Sequence, residues 1–415
     1  MPWRAAEDRS HAAAGKPKTI DSTTEAVIVV AAARTAIGTA RKGSLIQVGA
    51  FELGLFAIGE ALRRSGLPPG DVEDIVMGES LQGGGCIARH AAVVLSLDHI
   101  PAVAMNRHCA SGLAAVQTAA ASIRAGMDRV VIAGGVESIS TSPIILRQGP
   151  GQLQPQPWIP PSHPETPDAP TLDMSITVGW NTAQEARGTR EEMGAWALRS
   201  HHDAAAARDS GGFRAEIFPI EIPDGQGGTR VFDTDEHPRR DTTPEKLAAL
   251  RPLHPEIPGF SITAGNASGL DDGATAVVVV AGDDARTHGL RPLARILSWA
   301  SAAVAPRRTS LAPTVAIPKA LGRAELAVSD VDLVEINEAF CSMAVACTRI
   351  LGFDRERVNV NDSGCGLGHP VACTGARRVV TMVHELARRG GGMGVVSMCA
   401  GGGMGSAAVL EVLPA

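Results

Sequence analysis

Cys109-Ala110-Ser111-Gly112 opens an apolar run that reaches Ala125-Gly126, and Val130-Val131-Ile132-Ala133-Gly134-Gly135 follows at once. The same order returns late in the chain: His369, then Thr374-Gly375, a run to Arg389-Gly390, then Val395-Val396-Ser397-Met398-Cys399-Ala400-Gly401-Gly402. Each copy reads as loop, helix, short loop, buried strand and Gly-rich turn. Flanking strands echo as well. Residues 27–31 match 293–297 as opening strands, and 274–280 match 407–412 as closing strands, each closing strand preceded by a Gly-containing turn. The chain therefore divides into two similar α/β halves, residues 25–285 and 286–415, preceded by a polar extension over 1–24 that reads as disordered.

Composition agrees with helix-on-sheet layers. Hydrophobic residues make up 44% of the 415 positions, aromatics only 3%, and there is no Tyr. A core of Ala, Val, Leu and Ile beside 46 glycines favours close backbone approach. The apolar runs 26–33 and 274–281 are too short to span a bilayer and read as buried parallel strands. Net charge is −6, with no basic run and few rings for base stacking, which argues against nucleic acid as a partner. Seven cysteines with no C-x-x-C pair support neither a metal site nor a disulfide framework. A reducing, cytoplasmic setting fits them.

The first half is longer because of an insert over about 140–260. Its stretch 149–170 carries eight prolines in 22 residues and should run as an exposed, semi-rigid loop. Thr189-Arg190-Glu191-Glu192 reads as a capped helix start, with Gly211-Gly212 as its end. An insert above a rigid sheet is where a large ligand would be gripped.

Four segments carry the chemistry. Cys109 precedes a helix start, where unsatisfied N–H groups and the positive dipole end would lower the thiol pKa. His369 sits in Gly368-His369-Pro370, held by the proline, and could accept the proton of Cys109. Cys399 ends the strand 394–398 and opens a Gly-rich turn, at the carboxyl edge of what should be a parallel sheet, where a second sulfur could move a proton at carbon. Asn337-Glu338-Ala339-Phe340 follows the strand 331–336, and Asn337 there could hold a water or donate to an oxyanion. Singly, a cysteine is more often a buried structural residue, a turn histidine more often solvated, and such an asparagine more often a helix cap.

Taken in order, the four segments resemble the thiolase signature, from about residue 25 to the end, and Thr263-Ala264-Gly265-Asn266-Ala267-Ser268-Gly269 resembles that family's coenzyme A loop. The resemblance implies two βαβαβαββ halves stacked in five layers, αβαβα, with a loop domain inserted in the first. It implies that Cys109 takes the acyl group, that His369 activates it and that Cys399 handles the α-proton. The N–H groups of Cys109 and Gly401 would form one oxyanion hole, and a water on Asn337 with His369 the other. Ala264, Ser268, Met174 and Phe340 correspond to positions lining the pantetheine tunnel. Substrates would be acyl-CoA and CoA, with no resident cofactor, in a homodimer or dimer of dimers with no membrane or nucleic-acid partner. Cleavage of 3-ketoacyl-CoA, as in β-oxidation, is the favoured direction.

Departures occur at Asp362-Ser363-Gly364, Gly84-Gly85-Cys86-Ile87-Ala88-Arg89 and Asp173-Met174-Ser175 with Trp180 beyond. They bear on the acyl pocket, the dimer face or the CoA lid. The resemblance thus implies the reaction type and leaves the acyl length open. Two rival readings remain: a ketoacyl-synthase-like enzyme, which would want two histidines or His and Asn beside its cysteine where this chain has Cys399, and a non-catalytic acyl-CoA binder, against which the three intact reactive residues argue.

Overall fold

The computed structural model describes residues 26–151, 153–361 and 363–415; the extension expected over 1–24 lies outside them. The first half runs β1 (Val27–Arg34), α1 (Ala50–Ser65), β2 (Asp74–Gly78), α2 (Ile87–Val94), β3 (Ala102–Met105), α3 (Ser111–Arg124), β4 (Val130–Glu137) and, after the insert with its helix α4 (Arg190–Asp209), β5 (Asp271–Ala281). The second runs β6 (Ala294–Ala303), α5 (Pro313–Arg323), β7 (Leu333–Ile336), α6 (Cys341–Leu351), α7 (Thr374–Arg388), β8 (Gly392–Ala400) and β9 (Met404–Val412).

Strand order shows the repetition. The first half is β1-β5-β4-β2-β3 and the second β6-β9-β8-β7. Beyond β7, Val358 makes a single parallel bridge to Val334, at the place where the first half has β3. The two sheets join edge to edge through Ile28↔Arg295 and Val29↔Ala294.

Side-chain alternation along the strands sorts the core into three bodies. Ile28, Ile75, Ile132 and Val278 face α1 and α2. Val29, Val131, Val277, Val396 and Leu410 face α3 and α7, which lie between the sheets. Val334, Val395 and Val409 face α5 and α6. Five layers, helix–sheet–helix–sheet–helix, result.

One expectation is corrected. The runs 26–33 and 274–281 are buried, but β1 pairs antiparallel with β5 and with β6, and β5 pairs antiparallel with β4. A continuous apolar run reports helices on both faces of a strand and carries no information on direction. Parallel pairing is confined to β2 with β3 and β4, and β7 with β8. Each sheet is therefore mixed.

The central helices meet at their first turns. A Cβ on Gly375 would lie 2.5 Å from the Leu113 nitrogen, and one on Gly112 would lie 2.6 Å from the Ala372 oxygen. Only glycine permits that approach, and it brings the loop before α3 against the loop before α7. The insert adds α4, capped as expected: the Glu192 N–H donates to Thr189 Oγ1 at 3.1 Å and the Thr189 N–H to Glu192 Oε2 at 2.9 Å. Gly211, just past its end, has φ +78°. The proline-rich stretch is exposed over most of its length, as expected, with one inward turn. Leu153 is exposed, but the turn at Ser162 and His163 is folded inward, and a Cβ on Gly402 would lie 2.6 Å from the Ser162 oxygen.

Candidate active site

The segment before α3 is wound into a tight hydrogen-bonded turn. The His108 N–H donates to Asn106 Oδ1 at 2.9 Å, the Arg107 N–H donates to Ser111 Oγ at 2.8 Å, and Ser111 Oγ donates to the His108 carbonyl at 2.6 Å. His108 takes φ +46°, a left-handed conformation that a non-Gly residue rarely adopts. Together these bonds present the half-buried Cys109 to a cavity.

The thiol is not activated as the helix start suggested. Burial pushes it up to about 11, with the Glu137 carboxylate adding to the rise, while its own N–H and that of Gly401 act the other way. The Ala110 and Ser111 N–H groups already bond to the Arg107 and His108 carbonyls, each at 3.0 Å. The donors expected to face the sulfur are thus partly spent on the turn itself, and desolvation wins.

His369 is fixed at three points. Its N–H donates to Asp271 Oδ2 at 2.9 Å. Gly368 before it has φ +94°, and a Cβ there would lie 2.5 Å from Asp271 Oδ2. Thr374 Oγ1 lies 2.7 Å from His369 Nδ1 and donates to the Pro370 carbonyl, also at 2.7 Å. With the hydroxyl proton given to that carbonyl, Nδ1 is the donor to Oγ1. The neutral ring therefore carries its lone pair on Nε2. Asn337 Nδ2 lies 3.4 Å from that atom, and Asn337 Oδ1 accepts from Arg378 Nη2 at 2.9 Å. Burial, with Arg378 and Arg377 nearby, holds His369 down to about 3.

Cys399 lies inside β8 opposite Gly405, so the strand continues past it and the turn starts at Gly401. Burial raises this thiol well above its ordinary value, and the neighbouring Cys109 sulfur adds to the rise. Cys109, His369, Cys399 and Gly401 line one cavity of about 340 Å³, together with Met174, Ser268 and Phe340. Asn337 stands behind His369 and not on the wall. Ala264 lines an adjoining cavity of about 540 Å³ that shares Ser268 and Leu270 with the first. That second cavity carries Lys42, Arg239 and Lys246.

Several members of the site escape sequence reasoning. Thr374 and Arg378 lie one helical turn apart on α7 and act on His369 and Asn337. The adjacent arginines Arg377 and Arg378, early in α7, were the available signal, and both are fully buried. Ser162 comes from the proline-rich loop, and nothing in that loop's composition marks it.

A thiol and a neutral imidazole facing one cavity, beside a second thiol and a glycine N–H, at the junction of paired α/β halves, define an acyltransferase that works through a cysteine. Among known proteins, residues 27–283 match the thiolase N-terminal domain and residues 290–412 the thiolase C-terminal domain. Acetyl-CoA acetyltransferase of Pseudomonas aeruginosa is 40% identical over 397 residues, 92% of this chain and 98% of its own. 3-Ketoacyl-CoA thiolase of Bacillus subtilis is 38% identical over 407 residues, 93% of this chain and 99% of its own. The crystal structure of the Bacillus anthracis acetyl-CoA acetyltransferase superposes with a TM-score of 0.87 at 40% identity, covering 95% of this chain and 100% of that one. The chain belongs to the thiolase family.

Proposed function

We propose that the protein cleaves 3-ketoacyl-CoA with CoA, or runs the reverse condensation, through an acyl group carried on Cys109. The observation that carries this reading is the meeting of Cys109, His369, Cys399 and Gly401 around one cavity. In the resting site both partners are neutral, since the thiol sits near 11 and the imidazole near 3. Proton transfer therefore accompanies attack and does not precede it. Cys109 Sγ attacks the 3-keto carbon as its proton passes to His369 Nε2. The Cα–Cβ bond breaks, and the departing acetyl-CoA carbanion takes a proton from Cys399. CoA–SH then attacks the acyl-enzyme, its sulfur bonding to the acyl carbon, the Cys109 sulfur leaving, and the protons returning to the two cysteines through His369. The N–H groups of Cys109 and Gly401 would serve one oxyanion, and a water held by Asn337, with His369, the other; each such donor is worth about 10²–10³ in rate.

The adjoining cavity with Lys42, Arg239 and Lys246 would take the phosphates of CoA, with Ala264 beside it and Ser268, Met174 and Phe340 along the pantetheine's way to the sulfur. Such substrates call for no resident cofactor. Among the described residues no group of three or more His, Cys, Asp or Glu could hold a metal ion, and no helix is long and apolar enough to cross a membrane. We place the protein in the cytoplasm, with a degradative role. We further infer a division into residues 25–285 and 286–415 with an insert over about 140–260, and a homodimer formed through β3. That strand is hydrogen-bonded on one side only, by β2, and Val103 on it and Val93 and Val94 on α2 are exposed.

The test is thiolysis of a ladder of 3-ketoacyl-CoA lengths. Wild type turns over at least one member. Cys109→Ala turns over none, and Cys399→Ala still takes an acetyl group from acetyl-CoA onto Cys109 but neither cleaves nor condenses. A Cys399→Ala enzyme that condensed malonyl thioesters at full rate would favour the synthase reading. An enzyme that bound acyl-CoA without acylating Cys109 would favour the binder.

A further inference from the structure

The wall beside Cys109 carries polar groups that the transfer step does not use. His108 lines the cavity, and none of the described residues hydrogen-bonds its ring. Ser162 reaches the same place from the proline-rich loop. A Cβ built on Gly401 would lie 3.5 Å from Ser162 Oγ and 3.6 Å from His108 Cγ, so the two side chains flank one spot. That spot adjoins the sulfur, because the Gly401 N–H faces Cys109.

Hydrogen-bond capacity there can be worked out. His163 Nε2 lies 2.9 Å from the Ala169 carbonyl and so carries the proton. Its Nδ1 is then an acceptor, and Ser162 Oγ, 2.8 Å away, donates to it. Ser162 Oγ presents lone pairs to the cavity. Burial lowers the pKa of His108, so its neutral ring offers one donor and one acceptor. No Lys, Arg, Asp or Glu lines this cavity. A carboxylate or an ammonium group on the acyl chain would find no counter-charge there, and a plain alkyl chain would leave the imidazole unpaired.

We propose that His108 and Ser162 form an acyl subsite selecting a neutral hydroxyl group on the acyl unit close to its thioester carbon. The hydroxyl accepts from the His108 ring N–H and donates to Ser162 Oγ. This rests on the acyl-enzyme reading above and adds the substrate class to it. The chemical step is the reverse of CoA attack on the acyl-enzyme: the Cys109 sulfur bonds to the acyl carbon, the carbon–sulfur bond to CoA breaks, and CoA leaves as the thiol with the proton that His369 took from Cys109.

The experiment measures the rate at which Cys109 is acylated by acetyl-CoA, butyryl-CoA and each enantiomer of 3-hydroxybutyryl-CoA, read as intact mass. One well-placed hydrogen bond predicts that one enantiomer acylates about ten-fold faster than butyryl-CoA. His108→Leu should bring the ratio of 3-hydroxybutyryl to butyryl transfer back to about one, and Ser162→Ala should reduce that ratio. Because His108 is left-handed, His108→Gly, which suits that backbone, stands in should the leucine variant not fold. Equal rates for the two donors in wild type would overturn the proposal, as would a His108→Leu or His108→Gly enzyme slowed equally on both. If acetyl-CoA also failed to label Cys109, the acyl-enzyme reading itself would be lost, and this inference with it.

Discussion

At the residue scale, the three candidate side chains were readable because each lies in or beside a segment of small residues: Cys109 and His369 in turns, Cys399 in β8 just before the turn that starts at Gly401. What supports them was not readable. Thr374, Arg378 and Ser162 act through contacts made by chain that is distant in sequence or one helical turn away. The activation of Cys109 was misjudged for the same reason. A helix start offers donors, but the turn that builds it consumes two of them, and burial decides the balance. Thr374 gives a clean test. Thr374→Val removes the acceptor that fixes the His369 tautomer, while the Pro370 carbonyl keeps the Cys373 and Thr374 N–H groups as donors. Loss of that hydrogen bond should lower kcat by about ten-fold with little change in KM for CoA. Thr374→Ser should restore the rate, and steady-state thiolysis separates the two constants.

At the element scale, helices and strands were legible from period and punctuation: the α4 cap, its glycine stop, and the repeated helix–strand pair all stand where expected. Strand direction was not, because a run buried on both faces looks alike in either sense. Nor does a helix sequence announce its partner. Gly112 and Gly375 were visible as residues, but their approach to Ala372 and Leu113 exists only across the halves. Gly375→Ala places a methyl 2.5 Å from the Leu113 nitrogen, and such overpacking destabilises by about 1–3 kcal/mol. Because α3 and α7 hold Cys109 and His369, activity should fall more steeply than stability. Urea unfolding and thiolysis on the same preparation would show whether the two losses separate.

At the scale of the whole molecule, the five-layer stack follows from two α/β repeats, each with strands apolar on both faces. On the dimer proposed above, exposed Val103 on the one-sided strand β3 would meet a second copy. Val103→Asp would set like charges against each other there, and sedimentation should show the dimer shifting to monomer. The fold's response to acid follows from buried imidazoles. His201 is held down to about 4 by burial, with His237 and Arg239 beside it, and His369 to about 3. Below the unfolded value of 6.5 the unfolded chain binds protons that the folded one refuses, so this stability is present above that pH and is lost as pH falls toward 4. Glu137, raised to about 7 by burial, slopes the other way. A His201→Gln variant isolates the first effect. Between pH 7 and pH 5 it should lose about 2 kcal/mol less than wild type in urea unfolding.

Aligning β4 with β8 sets Gly134 at the position of Cys399, and a Cβ on Gly134 would lie 2.0 Å from the Thr275 oxygen. The earlier repeat has closed the space in which its counterpart keeps a sulfur. The paired halves therefore hold a single workshop and one blank wall. An active-site titration with a thioester should saturate at one equivalent per polypeptide.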